Sequence, residues 1–311
     1  MSTHALQLCP LLGDLEQALA ERFTLHRWFE AADPEVLLAA HRSEIRAVVT
    51  GGHLGISNEL LSRLPALEIV AINGVGVDKV DLANAKALGL RVTNTPDVLT
   101  DDVADLAIGL AIAVLRRIPQ ADRHVREGRW PQAEVPIARK VSAQRFGILG
   151  LGRIGKAIAR RLAGFGVPIA YTDVTPQDVP YVFHPTPAGL ARAVDALIVA
   201  AAAGAGTSNL IDRVVLDALG PDGVLVNGAR GSLVDEPALI AALQEGRLGG
   251  AALDVFADEP RVPEALRTIP NVVLTPHIAS ATVDTRRAMA KLVLANLDAH
   301  FAGVPLPTPV V

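Results

Sequence analysis

A glycine-rich turn at residues 150–155 constrains the fold of this chain more than any other feature of its sequence. The turn, Gly150-Leu-Gly-Arg-Ile-Gly155, directly follows an apolar run at 145–149 that predicts a strand, and a segment with helical periodicity comes after it. Its three glycines suit a tight bend, a close approach of the backbone to a diphosphate, and close packing of the helix on the strand. The glycines alone also fit an ordinary strand-to-helix turn, but in this setting they predict a dinucleotide-binding turn.

An acidic residue downstream supports that prediction. A second apolar run at 168–171 is followed by Asp173, which lies 23 residues after Gly150. A separation of about 20 residues is usual for the carboxylate that accepts the ribose hydroxyls of a bound dinucleotide. A carboxylate there repels a 2′-phosphate and the next two residues are uncharged, so the sequence favours NAD. NADP remains the alternative, because an arginine such as Arg192 would accommodate the phosphate, although a solvated helix residue is its simpler interpretation.

The length of the chain and the alternation of its segments predict two α/β domains. Its 311 residues exceed what one hydrophobic core usually supports. Short β-rich runs alternate with amphipathic segments, a pattern typical of doubly wound parallel sheets with helices on both faces. Asp33-Pro34 and Ser57 predict helix starts, and Gly89 predicts a helix end. In the first third of the chain, strands are predicted at 5–9, 47–50, 68–72 and 90–93.

Helical segments set the predicted domain boundaries. Thr100 opens an apolar-rich helix predicted to reach Ile118, and the two aspartates in its first turn complement the positive end of the helix dipole. We take this helix as the connector between the domains. A terminal helix at about 283–302 is expected to return the chain to the first domain. The predicted domains are therefore residues 1–99 with 283–311, and residues 100–282.

The helix after the glycine-rich turn is predicted to continue through Phe165. Its apolar residues recur at helical spacing, so one face of the helix is expected to pack on the sheet. The residues on that face are Ile154, Ile158, Leu162 and Phe165.

Composition excludes several classes of protein. The formal net charge is only -4, so the chain has no polyelectrolyte character that would attract nucleic acid. The single cysteine, Cys9, cannot form an intramolecular disulfide, and the amino terminus lacks a secretory signal, so a cytoplasmic protein is expected. The apolar runs fall short of the roughly 20 residues needed to cross a bilayer. No membrane association is therefore expected.

Three polar residues that follow predicted strands are candidates for chemistry. Arg230 comes after Val224-Leu-Val-Asn227, Glu259 precedes Pro260, and His277 follows Val272-Val-Leu-Thr-Pro. Open α/β sheets bind ligands at the carboxyl ends of their strands, so a cation there predicts a bound anion. Each residue also has an ordinary interpretation: Arg230 as a solvated loop residue, Glu259 as a loop acid for which Asp258 could be mistaken, and His277 as one of eight histidines.

Four blocks of sequence in the same order resemble the D-isomer-specific 2-hydroxyacid dehydrogenases, and among them the glyoxylate/hydroxypyruvate reductase branch. The blocks are residues 150–155, 227–235, 250–260 and 271–280, and the similarity extends to Asn73-Gly-Val-Gly-Val-Asp78 and Thr93-Asn-Thr-Pro96. The resemblance implies a flavodoxin-like substrate domain and a Rossmann dinucleotide-binding domain. It implies NAD(P)-dependent reduction of small 2-keto acids to D-2-hydroxy acids, with glyoxylate or hydroxypyruvate as the leading substrates and bulkier keto acids as rivals. A homodimer is also expected. The resemblance implies that Arg230, Glu259 and His277 are catalytic, since the family's acid stands immediately before the proline.

Reduction of a 2-keto acid requires chemical groups of these three types. A guanidinium can hold the adjacent carboxylate and carbonyl of the substrate through directional, charge-assisted hydrogen bonds, which is the role implied for Arg230. Hydride transfer to the carbonyl carbon builds negative charge on its oxygen, and His277 in its charged form would supply the proton. A carboxylate beside the ring, Glu259, would stabilise that charged form.

The resemblance also implies a wider set of binding residues. Asp254 would lie near the nicotinamide carboxamide, and its alternative role is to cap a helix or a turn. The loop at 51–55 would cover the substrate side chain, and its alternative interpretation is a plain mobile loop. No metal ligand is expected. The implied substrate-binding residues are Leu54, Val75, Gly76, Arg230 and His277. The implied cofactor-binding residues are Val103, Gly150, Gly152, Arg153, Ile154, Gly155, Asp173, Ala201, Thr207, Gly228, Ala229, Arg230, Asp254, His277, Ala279 and Ser280.

The chain departs from the family pattern at several places. An alanine- and glycine-rich run at 200–206 replaces a proline-containing turn, and the residues after Trp130 lack a further aromatic found in some reductases. The alternatives are an NAD-sensing corepressor, which has the same fold, and a phosphite dehydrogenase. Formate dehydrogenases carry glutamine at the position of Glu259, which argues against that activity.

Overall fold

The computed structural model describes residues 2–204 and 206–311, and the chain divides into two compact units. Unit 1 contains Met1–Leu99 and Ala281–Val311, and unit 2 contains Thr100–Ser280. Each unit is built around its own parallel sheet.

The helices and strands alternate along the chain. The strands are β1 (His4–Gln7), β2 (Thr24–Arg27), β3 (Ile45–Gly51), β4 (Ile69–Asn73), β5 (Arg91–Thr93), β6 (Phe146–Leu149), β7 (Ile169–Thr172), β8 (Val182–Phe183), β9 (Ala196–Val199), β10 (Val224–Asn227), β11 (Gly250–Leu253) and β12 (Val272–Leu274). The α-helices are α1 (Gly13–Arg22), α2 (Pro34–His41), α3 (Asn58–Ser62), α4 (Leu82–Ala87), α5 (Thr100–Leu115), α6 (Ile118–Arg126), α7 (Arg153–Ala163), α8 (Pro187–Ala193), α9 (Arg213–Leu219), α10 (Glu236–Gln244), α11 (Glu264–Thr268) and α12 (Val283–Ala302).

The sheet of unit 1 has the strand order β2-β1-β3-β4-β5, and all neighbouring strands are parallel. This is the doubly wound order of flavodoxin-like folds, which confirms the predicted class. Successive residues of each strand face opposite sides of the sheet. One side packs Leu6, Val48 and Val70 under α2, and the other packs strand residues such as Ala5 and Val49 under α1 and α12.

Local sequence signals fix the ends of several helices in unit 1. Asp33 caps α2, and its carboxylate accepts from the backbone N–H groups of the first turn. Ser57 caps α3 in the same way, and Gly89 ends α4 with a left-handed φ of 73°. All three positions are where the sequence predicts them, because a cap is a short-range interaction that needs no tertiary context.

The sheet of unit 2 has the order β12-β11-β10-β9-β6-β7-β8 and is parallel throughout. Six of its strands, in the order β8-β7-β6-β9-β10-β11, follow the Rossmann order. The strand β12 adds a seventh at one edge. The order reverses between β6 and β9, so the glycine-rich turn after β6 lies at the topological switch point, where such sheets bind ligands.

Two helix predictions are wrong in detail. The helix predicted from Thr100 to Ile118 ends at Leu115, and Ile118 begins a separate helix, because Arg117 adopts a left-handed conformation with φ of 53° and breaks the hydrogen-bond ladder. The helix after the glycine-rich turn ends at Ala163, so Phe165 does not lie on its buried face. Gly164 and Gly166 follow this end, and the low helix propensity of glycine disfavours a longer helix.

The strand positions agree with prediction to within one or two residues at most ends. Among the predicted strands the largest differences are at β1, which ends at Gln7 instead of residue 9, and at β3, which begins at Ile45 instead of residue 47. The sequence does not predict the strand β2. Among the described residues, no helix is both long and apolar enough to cross a membrane.

Candidate active site

Three adjacent strands of unit 2 bring the candidate catalytic residues to one edge of the sheet. Asn227, Leu253 and Leu274, near the carboxyl ends of β10, β11 and β12, stand side by side in register. Arg230 and His277 each follow their strand by three residues, and Glu259 lies in the loop after β11. Residues that are far apart in sequence are therefore gathered where open α/β sheets bind their ligands.

His277 and Glu259 form a direct hydrogen bond. His277 Nδ1 donates to Glu259 Oε2 at 2.6 Å, and both side chains are partly buried. His277 has a left-handed backbone with φ of 54°, which is uncommon for a residue with a side chain. Its N–H donates to the carbonyl oxygen of Asp254 at 2.8 Å, so the neighbouring strand holds this conformation in place.

The second oxygen of Glu259 is also engaged. Glu259 Oε1 accepts from the backbone N–H of Phe256 at 2.9 Å, so both carboxylate oxygens are oriented. Burial alone would raise the pKa of Glu259. The hydrogen bonds from His277 and Phe256, together with the charges of His277 and Arg230, outweigh burial and hold the pKa of Glu259 below its ordinary value. Glu259 is thus ionised over the neutral range and stabilises positive charge on the imidazole.

Arg230 lies on a backbone segment that side chains and close packing fix in place. Asn227 Nδ2 donates to the carbonyl oxygen of Arg230 at 2.9 Å, and Asn227 Oδ1 accepts from the N–H of Ala229 at 3.1 Å. A Cβ at Gly231 would collide with the carbonyl group of Phe256, so only glycine permits this approach of the two loops. Arg230 is near enough to Glu259 for its charge to lower the carboxyl pKa.

Asp254 organises the segment that carries His277. Its side chain is fully buried, and its oxygens accept from the Thr275 hydroxyl at 2.6 Å and from the N–H groups of Ile278 and Ala279, each at 2.9 Å. This is the capping geometry that the sequence leaves open as the alternative for Asp254. The carboxylate fixes the turn from Thr275 to Ala279, and through it the position of His277.

The glycine-rich turn fits a dinucleotide diphosphate. Gly150 has φ of 91°, and a Cβ there would lie 2.6 Å from the Cα of Ala201. A Cβ at Gly155 would collide with the carbonyl oxygen of Gly150, so close packing of α7 on β6 requires glycine. Gly152 differs, because no heavy atom of the described residues lies within 4 Å of its Cβ position. The fold therefore gives no packing reason for Gly152, and space for a ligand remains beside it.

Asp173 lies at the end of β7 and contacts the glycine-rich turn. Asp173 Oδ2 accepts from the N–H of Leu151 at 2.9 Å and from Gln177 Nε2 at 2.8 Å. Asp173 Oδ1 accepts from the N–H of Val174 at 2.7 Å. The carboxylate is thus held at the edge of the turn, where a ribose would follow a bound diphosphate.

The remaining predicted cofactor residues fall into two groups. Those at the carboxyl edge of the unit 2 sheet, on the turn after β6 or in the loops after β9, β10 and β12, are Arg153, Ile154, Ala201, Gly228, Ala229, Ala279 and Ser280. Val103 lies in the second turn of α5 and is buried, and the hydrogen bonds described for Thr207 stay within its own loop, to Ala202 and Gly204. The structure does not bring these last two to the catalytic pair by any described contact.

The predicted substrate residues of unit 1 lie near one another. Leu54 belongs to the turn after β3, and Val75 and Gly76 belong to the turn after β4. A Cβ at Gly52 would lie 3.1 Å from the carbonyl oxygen of Gly76, so the two turns are in close contact. Asn94 Nδ2 donates to the carbonyl oxygen of Val75 at 2.8 Å and holds the second turn.

Several residues that build the site have no individual sequence signal. Asn227 and Thr275 stand at strand ends and act through hydrogen bonds to Arg230 and Asp254. Gln177 hydrogen-bonds both Asp173 and the carbonyl oxygen of Leu151. The only available signal is the position of a polar residue at the carboxyl end of a predicted buried strand, which applies to Asn227 but not to Gln177.

A dinucleotide-type turn and a carboxylate–imidazole pair at the carboxyl edge of one Rossmann sheet define a nucleotide-dependent oxidoreductase. Comparison with known proteins narrows this class. Residues 108–279 match the family profile for the D-isomer specific 2-hydroxyacid dehydrogenase, NAD binding domain. The chain belongs to the D-isomer specific 2-hydroxyacid dehydrogenases, and it is an NAD(P)-dependent enzyme that reduces keto acids.

Relatives match over almost the whole length of the chain. Glyoxylate/hydroxypyruvate reductase A of Arabidopsis thaliana is 53% identical over 311 residues, which covers 100% of this chain and 99% of the relative. Hydroxyphenylpyruvate reductase of Plectranthus scutellarioides is 51% identical over 98% of both chains. Among solved structures, NADPH-dependent glyoxylate/hydroxypyruvate reductase from Sinorhizobium meliloti, in complex with NADP and malonate, is 46% identical with a TM-score of 0.94, covering 100% of this chain and 97% of that chain.

Proposed function

We propose that this enzyme reduces glyoxylate and hydroxypyruvate to the corresponding 2-hydroxy acids, with NADH as the preferred reductant. The observation that carries this proposal is the 2.6 Å hydrogen bond between His277 and Glu259, beside Arg230 at the carboxyl edge of the sheet. A charged imidazole and a guanidinium are the groups that reduction of a 2-keto acid needs, one to donate a proton and one to hold the substrate anion.

In this mechanism Arg230 orients the substrate. Its guanidinium holds the carboxylate and the adjacent carbonyl oxygen by charge-assisted hydrogen bonds. The reduced nicotinamide supplies the hydride when the cofactor is bound. Because Nδ1 of His277 is engaged with Glu259, we assign the transferred proton to Nε2, which donates it to the carbonyl oxygen. Glu259 stabilises the imidazolium before the transfer and fixes the orientation of the ring.

Unit 2 is proposed to hold the dinucleotide. The residues fit the group, because the space beside Gly152 suits a diphosphate and the Asp173 carboxylate is placed to accept ribose hydroxyls. Unit 1 is proposed to bind the substrate side chain and carboxylate through Leu54 and the turn containing Val75 and Gly76, whose backbone amides suit an anion. The half-exposed side chain of Leu54 supplies an apolar surface.

Asp173 supports the preference for NADH. A carboxylate at this position accepts hydrogen bonds from ribose hydroxyls and repels a 2′-phosphate. The solved relative from Sinorhizobium meliloti is named as NADPH-dependent, so the preference of this chain would differ from that relative. The difference is testable by comparing the two reductants directly.

A homodimer in the cytoplasm is also proposed. The segment after α6 exposes Trp130, Val135 and Ile137, and the Ile137 side chain is 96% exposed. Several large apolar residues exposed on one short segment suit a protein interface. The buried, unpaired Cys9 suits a reducing compartment. Light scattering of the purified chain would give twice the chain mass for a dimer, and the chain mass itself would contradict this proposal.

A substrate panel tests the proposed activity. Initial rates would be measured for glyoxylate, hydroxypyruvate, pyruvate and phenylpyruvate, each with NADH and with NADPH. We expect the highest kcat/KM for glyoxylate or hydroxypyruvate with NADH. Phenylpyruvate is included because one relative is named hydroxyphenylpyruvate reductase, and a preference for it would replace the proposed substrate class. The reductase names of the relatives favour this activity over an NAD-sensing corepressor or a phosphite dehydrogenase.

A further inference from the structure

Three histidines of unit 1 converge at the edge of its sheet. His4 begins β1, His26 lies in β2, and His41 ends α2. In the parallel pairing of β1 with β2, His4 is opposite Thr24 and Leu6 is opposite His26, so the two histidines project from the same side of the sheet. Leu6 on that side belongs to the core that also contains Leu38 of α2, and this packing places the end of α2 over the histidines.

The ring nitrogens of these histidines lie close together, and the rings of His26 and His41 stack with their centroids 4.2 Å apart. His26 Nε2 lies 3.1 Å from His4 Nδ1, and one ligand atom from each of the three rings lies within 4.8 Å of the others. Glu44, in the turn after α2, approaches the same group. Its Oε2 lies 3.0 Å from His41 Nδ1 and 3.4 Å from His4 Nδ1.

Three of these separations are close to the edge length of a tetrahedral metal site. Zn–N bonds of 2.0–2.1 Å in a tetrahedron place neighbouring ligand atoms about 3.3–3.4 Å apart. Three of the six ligand-ligand separations, at 3.0, 3.1 and 3.4 Å, are close to that value. The three histidines meet within 4.8 Å, so to share one ion their rings and the Glu44 carboxylate would rotate toward a common centre. Imidazole nitrogen with one carboxylate is a donor set that suits Zn²⁺ and its neighbours in the first transition series.

The chemistry of imidazole also suits a metal ion. In its neutral form each ring offers one nitrogen lone pair, which is what a metal ion requires.

We propose that His4, His26 and His41, with Glu44 as the fourth ligand, bind one divalent transition-metal ion per chain, and we commit to Zn²⁺. The site is separate in sequence and in structural unit from Arg230, Glu259 and His277, and keto acid reduction does not require it. The ion joins the edge strand β2 to β1 and α2, so its role is to stabilise unit 1.

Metal titration of the full-length, tag-free protein tests this site. After removal of metal with a chelator, ZnCl₂ would be titrated by calorimetry, and CoCl₂ by the visible absorption of the bound ion. We expect one ion per chain, a rise in Tm with Zn²⁺, and no rise with Mg²⁺. Replacing a direct ligand, in His26→Ala or His41→Gln, should weaken Zn²⁺ affinity by more than about tenfold, since even residues outside the ligand set typically contribute 10- to 100-fold. Glu44→Gln should weaken it as well.

The control variants separate this site from other histidines. His184→Gln, in unit 2, should leave the Zn²⁺ affinity unchanged. His41 is partly exposed at a helix end, so His41→Gln retains the fold, and circular dichroism of the metal-free variant would show this. Zn²⁺ affinity that is unaltered in both His26→Ala and His41→Gln, or that is lost only in a His277 variant, would overturn the proposal.

Discussion

The Nδ1 atom of His277 lies 2.6 Å from Oε2 of Glu259, although 18 residues separate them in sequence. The N–H of Phe256 donates a hydrogen bond to the other carboxylate oxygen of Glu259, and the N–H of His277 donates one to the carbonyl oxygen of Asp254. Both partners are therefore positioned by the protein before any substrate arrives. This preorganisation is what a proton donor in a hydride-transfer enzyme needs.

Replacing Glu259 with glutamine should shift the alkaline limb of the reduction profile toward lower pH. The amide no longer carries the negative charge that pairs with the imidazole, so the proton donor is lost at a lower pH. The profile of kcat/KM against pH checks this. The matched control is Asp258→Asn, one residue away, whose exposed carboxylate pairs with Arg261 instead. An unshifted limb in Glu259→Gln would show that the pair is not coupled.

The same pair should affect stability on the acid side. Because the folded pKa of Glu259 is lowered, its ionised form contributes stability that is present above the ordinary carboxyl pKa and is lost as the pH falls through the lowered value. Urea unfolding of the protein and of Glu259→Gln should therefore differ near pH 6 and converge at strongly acidic pH. A constant difference at all pH values would contradict this.

Replacing His277 with asparagine should lower kcat by about 10²- to 10⁴-fold, the usual contribution of a general acid. Asparagine tolerates the left-handed backbone found at this position, so the loss would not reflect strain. NADH affinity, measured by fluorescence titration, should remain nearly unchanged. Turnover at the level of the unmodified enzyme would end the assignment of His277 as the proton donor.

Asp254→Asn should destabilise unit 2 by about 1–3 kcal/mol. The amide NH₂ group that replaces one carboxylate oxygen cannot accept a hydrogen bond, so at least one donor that now bonds to the carboxylate loses its acceptor. The affected donors are the Thr275 hydroxyl and the N–H groups of Ile278 and Ala279. Urea unfolding would measure the loss. Thr275→Val removes only one of the three hydrogen bonds and should have the smaller effect. An equal or larger effect of Thr275→Val would argue against Asp254 as the organiser of the turn.

Asp173→Asn should reduce the preference for NADH over NADPH by at least about tenfold, which is about 1.4 kcal/mol. Asparagine keeps an acceptor for the N–H of Leu151 but removes the charge that repels a 2′-phosphate. The ratio of kcat/KM for the two reductants checks this. Asp178→Asn changes an exposed acid five residues further on and serves as the control. If the unmodified enzyme prefers NADPH, the role given to Asp173 is wrong.

The glycines of the turn should respond differently to alanine. Gly155→Ala places a methyl group against the carbonyl oxygen of Gly150, so it should destabilise the fold by about 1–3 kcal/mol. Gly152→Ala meets no described heavy atom within 4 Å and should leave the stability of the cofactor-free protein unchanged. NADH binding by Gly152→Ala should still weaken by at least about tenfold, or about 1.4 kcal/mol. Normal NADH affinity would show that no diphosphate lies beside Gly152.

Features that depend on short-range interactions could be predicted from the sequence. Asp33 and Ser57 cap helices through hydrogen bonds to residues two or three positions away, and Gly150 is required by its own backbone conformation. The pairing of Glu259 with His277 could be expected only from the resemblance to a family. No local pattern specifies a contact across 18 residues and two loops.

Features that depend on tertiary packing could not be predicted. β2 is an edge strand whose side chains are exposed or half-buried, so it lacks the apolar run that marks a central strand. Its residue His26 meets His4 and His41 only because β2 pairs with β1 and α2 packs above them. The sequence separations of 22 and 15 residues match no common metal-binding motif. The break at Arg117, by contrast, has a local signal that the helix prediction overlooked, because Pro119 two residues later has no N–H to continue the hydrogen-bond ladder.

The return of the chain to unit 1 through α12 has a consequence for biosynthesis. Val293 and Leu297 of α12 complete the same core as Leu15 and Leu19 of α1. The ribosome makes the α1 residues first and those of α12 more than 250 residues later. Unit 2 is continuous in sequence and can fold while translation proceeds. In unit 1, the apolar face of the sheet that α12 covers stays exposed until this last helix emerges from the ribosome.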